Sequence, residues 1–247
     1  SITPEKPVAL FGYPHCRRIS TGVHDPLWAS ALYLADGDRA VVLVALDLLF
    51  VTPPVARQLR RAVAAAVGVD EACALISCTH THSGPVSARI LAWQDDPTAC
   101  GPEPGYLDAV QQRAVAAATQ AMNAARPAAL AWTTADARGV GGNRQRSDGP
   151  TDPEASLLAV RDVASGGLVA VAVVYGMHPT VMHEDSTLVS SDFPHYTRQE
   201  LVERFGDQLT VLYHMAPSGD QSPRRFVQAQ TFDEAERLGR VLGRAAA

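Results

Sequence analysis

Two histidines two residues apart, His80 and His82 in the stretch ISCTHTHSGP (76–85), are the first residues along the chain whose spacing suits chemistry. If residues 73–78 form a buried strand, both side chains lie on one side of its extension, because strand side chains alternate with period two. Two imidazoles so placed can face one metal ion or one substrate. A third candidate, His178, ends a second apolar run, and Pro179 fixes the backbone just after it. Spacing by itself leaves a metal site and a chance arrangement both open. His183 fits neither helical nor strand spacing with His178, and His15, His24, His195 and His214 have no convincing partner, so these five read as structural.

Other candidates sit beside glycine and proline. Ser222 lies in GDQSP, which is not the G-x-S-x-G elbow of an α/β-hydrolase and which also reads as an ordinary turn with Asp220 as a local cap. Arg144 follows two glycines in GGNR, where a ligand can come close, although a surface arginine would look the same. No G-x-x-x-x-G-K-[ST], no G-x-G-x-x-G and no H-E-x-x-H occurs, which removes P-loop and dinucleotide chemistry and a helical zinc pair.

The elements that must position these residues alternate. Strand-length apolar runs cover 39–51, 72–78, 128–138, 156–163, 167–177 and 209–216; helical patterns cover 53–67, 106–125, 194–205 and 233–247, with Asp233 as the N-cap of the last. The segment 128–177 reads as three successive strands with a turn at 165–167. This interleaving predicts an α/β protein, a mixed β-sheet or two flanked by helices; 247 residues allow one large domain or two small ones, and a single domain over 1–247 is expected. Four strands each run into a loop holding a His, Arg, Asp or Ser, and open α/β sheets bind ligands outside the carboxyl ends of their strands. The active site is therefore expected there. Trp93, in the Gly- and Pro-rich stretch 84–105, reads as a packed loop residue ahead of a residue lining a substrate entrance.

Composition excludes other classes. A formal charge of −5 on 247 residues, with no basic cluster larger than short pairs such as Arg17-Arg18, argues against a nucleic-acid partner. No apolar run reaches the roughly 18 residues that a membrane helix needs. The four cysteines contain no C-x-x-C and read as small buried hydrophobes, which favours a reducing, cytoplasmic compartment. The chain starts at Ser1 without methionine, so a secreted protein that has lost an upstream signal peptide is the other expectation.

Taken together, SITPEKPVALFGYP, GVHDPLWASALYLADG and VVLVALDLL near the start, then CTHTHSGP, GGNR, GMHPT, LVSSDFP and SGDQSP in order, resemble the N-terminal catalytic domain of the neutral, non-lysosomal ceramidase family. The resemblance covers essentially the whole chain. It implies a Zn2+-dependent amidohydrolase that splits the N-acyl bond of a ceramide-like lipid into a sphingoid base and a fatty acid. It further implies that His80 and His178 are zinc ligands and that His82 faces the substrate beside the metal. Arg144 would hold the polar part of the substrate or the charge developing on it, and Ser222 matches the family's active-site serine. Zinc polarises an amide carbonyl and acidifies bound water, and an arginine with a protonated histidine can stabilise the negative tetrahedral centre. No base for Ser222 stands out in the sequence, so water is the expected nucleophile, with Ser222 orienting it or the carbonyl. Members of the family run well beyond this length and add a glutamate and a tyrosine as ligands. Within this chain Asp47, Glu184 and Asp192 are the candidates for a further ligand. Two other readings remain: a metal-dependent hydrolase of another small ester or amide on the same scaffold, and a non-catalytic ligand-binding α/β module.

Overall fold

The segment Ala29–Asp36 forms strand β1 and turns back at Gly37, whose φ of +60° suits a two-residue hairpin loop, into Arg39–Leu46 as β2. Helix α1 (Pro53–Val67) then carries the chain over to β3 (Ala74–Cys78), which pairs parallel with β2. Two prolines open α1, where their missing N–H groups cost nothing, and Gly68 closes it in the left-handed region at φ +69°. Its Leu59, Val63, Ala64 and Val67 are buried at helical spacing, as are Val110, Ala114 and Ala118 of α2 (Tyr106–Asn123). Both stripes pack with Val42, Val44 and Leu46 of β2 into one core.

The computed structural model describes residues 1–89 and 100–247, so Trp93 lies outside the described residues. They divide into two compact units: Ser1–Ala125 with Glu184–Ser190, and Arg126–His183 with Ser191–Ala247. In the first unit, Leu188–Val189 returns to pair parallel with Gly22–Val23.

The second unit is built on β4 (Ala128–Asp136), β5 (Glu154–Asp162), β6 (Leu168–Tyr175) and β7 (Thr210–Met215). Their order across the sheet is β7-β6-β5-β4, with β6 and β7 parallel and the other neighbours antiparallel. The carboxyl ends of β4, β6 and β7 therefore share one edge of this sheet. The β5–β6 hairpin turns where the Asp162 carboxylate accepts from the Ser165 N–H (2.7 Å) and hydroxyl (2.9 Å). Leu157, Val171, Val173 and Tyr175 bury one face of the sheet against Leu201 of α3 (Phe193–Phe205) and Leu238 and Leu242 of α4 (Phe232–Ala246). The two helices touch closely at Gly239, where a Cβ would lie 2.6 Å from the Tyr196 Cβ.

Mixed sheets flanked by helices make this an α/β protein, as the alternating runs predict. Four details differ. The run 39–51 is strand only to Leu46, and Glu71–Cys73 is a single 3-10 turn ahead of β3. Strand β1 is not among the predicted strands. The N-cap of α4 is Thr231, not Asp233: the Thr231 hydroxyl accepts the Glu234 N–H, and Asp233 sits inside the first turn, where its charge favours the helix dipole. Among the described residues no helix is long and apolar enough to cross a membrane.

Candidate active site

In the first unit the hydrogen-bonding pattern of β3 runs on past its end: the Thr79 N–H donates to Leu46 O and the His80 N–H to Leu48 O, both at 2.9 Å. Thr79 and Thr81 are fully buried, while His80 and His82, which alternate with them, are partly exposed. The loop thus turns its threonines inward and offers its imidazoles. His80 has φ +69°, an unusual conformation for a non-glycine residue, and its Nδ1 lies 2.8 Å from Leu49 O. A carbonyl can only accept, so Nδ1 carries the proton and Nε2 the lone pair. The His80 and His82 rings meet edge to face, 5.1 Å between centroids, with ring nitrogens within 4.8 Å of each other.

The loop is held from below. The Thr81 hydroxyl donates to Ser190 O at 2.7 Å, Ser83 and Ser190 form an antiparallel bridge, and the Ser190 hydroxyl donates to the buried Asp25 carboxylate. From the side, Arg18 reaches in. Its guanidinium is buried and donates to the carbonyls of Phe11 and His82, both at 2.6 Å, and of Ser186 at 3.1 Å.

In the second unit, three motifs meet where β4, β6 and β7 end. Gly142–Asn143 pairs antiparallel with Gln221–Ser222. The Asn143 amide donates to the Asp220 carboxylate at 2.8 Å, and the Arg144 guanidinium donates through Nε (3.0 Å) and Nη2 (2.7 Å) to Gly219 O. His178 is buried, and its Nδ1 is shared between Ser218 O (2.8 Å) and Gln221 O (3.0 Å). As with His80, the carbonyls facing Nδ1 put the proton there and the lone pair on Nε2. Ser222 is buried, and its Oγ accepts the Arg224 N–H at 3.3 Å, which caps the short 3-10 turn Pro223–Arg225.

Within the first unit, then, His80 and His82 come together; within the second, His178, Arg144 and Ser222 do. The glycines of GGNR serve packing as well as access: a Cβ at Gly141 would collide with the Met177 sulfur and sit 2.9 Å from Ser222 O. The three carboxylates considered as further ligands have other work. Asp47 is buried and accepts the Trp28 N–H (2.8 Å), and Asp192 accepts the N–H groups of Met182 (2.9 Å) and Phe193 (2.7 Å). Glu184 faces His15 at 3.9 Å. Sequence reasoning missed Arg18 and Tyr13 as parts of this site. Both lie in GYPHCRR, and nothing in the spacing separates the buried Arg18 from its exposed neighbour Arg17.

The fold is a known one. The structure superposes on a ceramidase complexed with C2 with a TM-score of 0.79 at 22% identity, covering 99% of this chain and 42% of that one. It superposes on a neutral ceramidase from Pseudomonas aeruginosa with a TM-score of 0.80 at 22% identity, again over 99% of this chain and 42% of the other. The chain thus spans less than half the length of the ceramidases whose fold it shares. Its sequence matches the neutral/alkaline non-lysosomal ceramidase N-terminal domain over residues 3–224, and the chain belongs to that family. No curated protein matches it significantly.

Proposed function

We propose that this chain, acting as one catalytic domain, is the core of a zinc-dependent amidohydrolase that cleaves the N-acyl bond of a ceramide-like lipid, giving a sphingoid base and a fatty acid. The family match over residues 3–224, which takes in every one of the strand-end motifs, carries this reading. The donor chemistry supports it. His80 and His178 would hold the ion, and each has its Nδ1 committed to backbone carbonyls. Such an outer hydrogen bond fixes the tautomer and the ring orientation that a metal-binding imidazole requires. When bound, zinc supplies a Lewis acid that polarises the amide carbonyl and makes water more acidic.

The side chains divide the remaining work. His82, beside His80, faces the substrate and stabilises negative charge on the carbonyl oxygen when protonated. Arg144 has Nε and Nη2 fixed on Gly219 O, which leaves Nη1 to bind the polar end of the substrate. Ser222 accepts a backbone N–H at Oγ, so its own O–H is left to donate. That suits orienting a water or the carbonyl better than attack, which would need a base to take the serine proton. Water adds across the C–N bond: its oxygen goes to the acyl carbon and its proton to the leaving amine.

Metal analysis of protein purified without chelators should find about one zinc per chain, lost together on substitution of His80 or His178. Product analysis on a panel of N-acyl lipids and N-acyl amino acids should show release of a sphingoid base. Protein that holds no zinc, and whose melting temperature added zinc does not move, would falsify the catalytic reading. A Ser222→Ala variant that keeps more than a few per cent of activity fits Ser222 as an orienting group; a trapped acyl-Ser222 intermediate excludes it.

A further inference from the structure

We propose that segment 11–18 is a cradle for His82, with Arg18 and Tyr13 as positioning residues that hold its ring in the orientation used toward substrate. The proposal rests on the reading of His82 given above and deepens it.

Arg18 is 4% exposed. A buried guanidinium is costly unless its N–H groups find acceptors, and here three carbonyls from three segments converge on it, those of Phe11, His82 and Ser186. One of them belongs to His82 itself, so Arg18 pins the main chain of that residue. The planar fork is what permits this, and a lysine ammonium could not meet three acceptors in such different directions. The same guanidinium lies 4.8 Å from the centroid of the Tyr13 ring. Tyr13 in turn meets the His82 ring edge to face at 5.2 Å. Gly12 completes the enclosure. With φ +109°, it approaches so closely that a Cβ there would lie 2.6 Å from both Cβ and Cγ of His82.

The His82 ring is therefore bounded by the Gly12 backbone, by Tyr13 and by His80, while its own carbonyl is tied to Arg18. A ring so bounded has lost the rotamer freedom of a surface histidine before any substrate arrives. Preorganisation of this kind is worth a large share of a catalytic group's effect, and a displacement of about 1 Å can cost on the order of 100-fold.

The test compares Arg18→Met, Tyr13→Ala and Tyr13→Phe, the last keeping the ring and losing only the hydroxyl. In the zinc-free protein at a single pH, an NMR cross-peak between the His82 ring and the Gly12 α-protons reports the ring's position. The expected result is a cross-peak that persists in wild type and Tyr13→Phe and disappears in Arg18→Met and Tyr13→Ala, with the resonances of His24 and His214 unmoved. In the zinc-loaded protein, kcat should fall about 30-fold in the two disruptive variants with KM within about 2-fold, and Tyr13→Phe should behave as wild type. Should Arg18→Met fail to fold, the Tyr13 pair decides alone. Persistence of the cross-peak in Tyr13→Ala, or a general shift of all histidine resonances in it, overturns the proposal. If wild type turns over no N-acyl lipid, the proposed function fails while the cross-peak still decides the cradle.

Discussion

The Asn143 amide donates to the Asp220 carboxylate across 2.8 Å and so fastens the GGNR motif to SGDQSP, 77 residues further on. Asp220 also accepts from the Gln221 side chain at 2.8 Å, while the Asn143 carbonyl oxygen takes the N–H groups of Gln145 and Arg146, both at 3.0 Å. Removing the carboxylate strands two donors at once. Asp220→Ala should lower stability by about 2 kcal/mol in urea titration, and Asp220→Asn by about half as much because one acceptor survives. A cost for Asp220→Ala within experimental error of zero would show the contact to be incidental.

Gly141 has no room for a side chain. Gly141→Ala is expected to destabilise by about 2–3 kcal/mol through overpacking against Met177 and the Ser222 carbonyl. Combined with Met177→Ala, it should cost less than the two single changes summed, because the second substitution makes space for the first. Additive costs would place the strain elsewhere.

His80 separates fold from ligand. At φ +69° the backbone accepts asparagine far better than alanine. Without metal, His80→Asn should be about 1 kcal/mol more stable than His80→Ala, and both should lose zinc binding alike. Equal stabilities would mean that the loop relaxes out of this conformation when the imidazole goes.

His214, buried in β7, has its pKa lowered from 6.5 to about 4 because burial penalises the charged ring. Between those values the unfolded chain binds a proton that the folded chain refuses. Stability should be full above about pH 6.5, fall as the pH drops towards 4, and level off below, with a total of about 3 kcal/mol from this group. The slope should flatten in His214→Gln. Denaturation midpoints measured across pH 4–7 would test it, and an unchanged slope in the variant would assign the effect to other groups.

How far the sequence could be read depended on the kind of signal. Continuous apolar runs and clean helical periodicity placed β2–β7 and all four helices to within a few residues. Strand β1, ASALYLAD, does hold an apolar run, ALYLA, but a short one with little β-branching; the hairpin at Gly37 and its pairing with β2 make it a strand. The motif residues were visible because they are unusual neighbours in sequence, such as histidine beside threonine or glycine beside asparagine. What holds them was not. Arg18 stands 64 residues from the His82 carbonyl that it binds, and Asp25 stands 165 from Ser190. Asp220, read as a local cap, is a bridge between distant loops. Spacing along the chain records nothing of such pairings.

The outermost strand of the second sheet, Ala128–Asp136, pairs with β5 alone among the described residues and leaves Leu130 and Trp132 at 54% and 65% exposure. It has no proline, no lysine and no bulge to discourage company. Such a rim is expected to favour edge-to-edge pairing between molecules in concentrated solution. A single lysine in place of Leu130 is the cheapest way to keep a preparation clear.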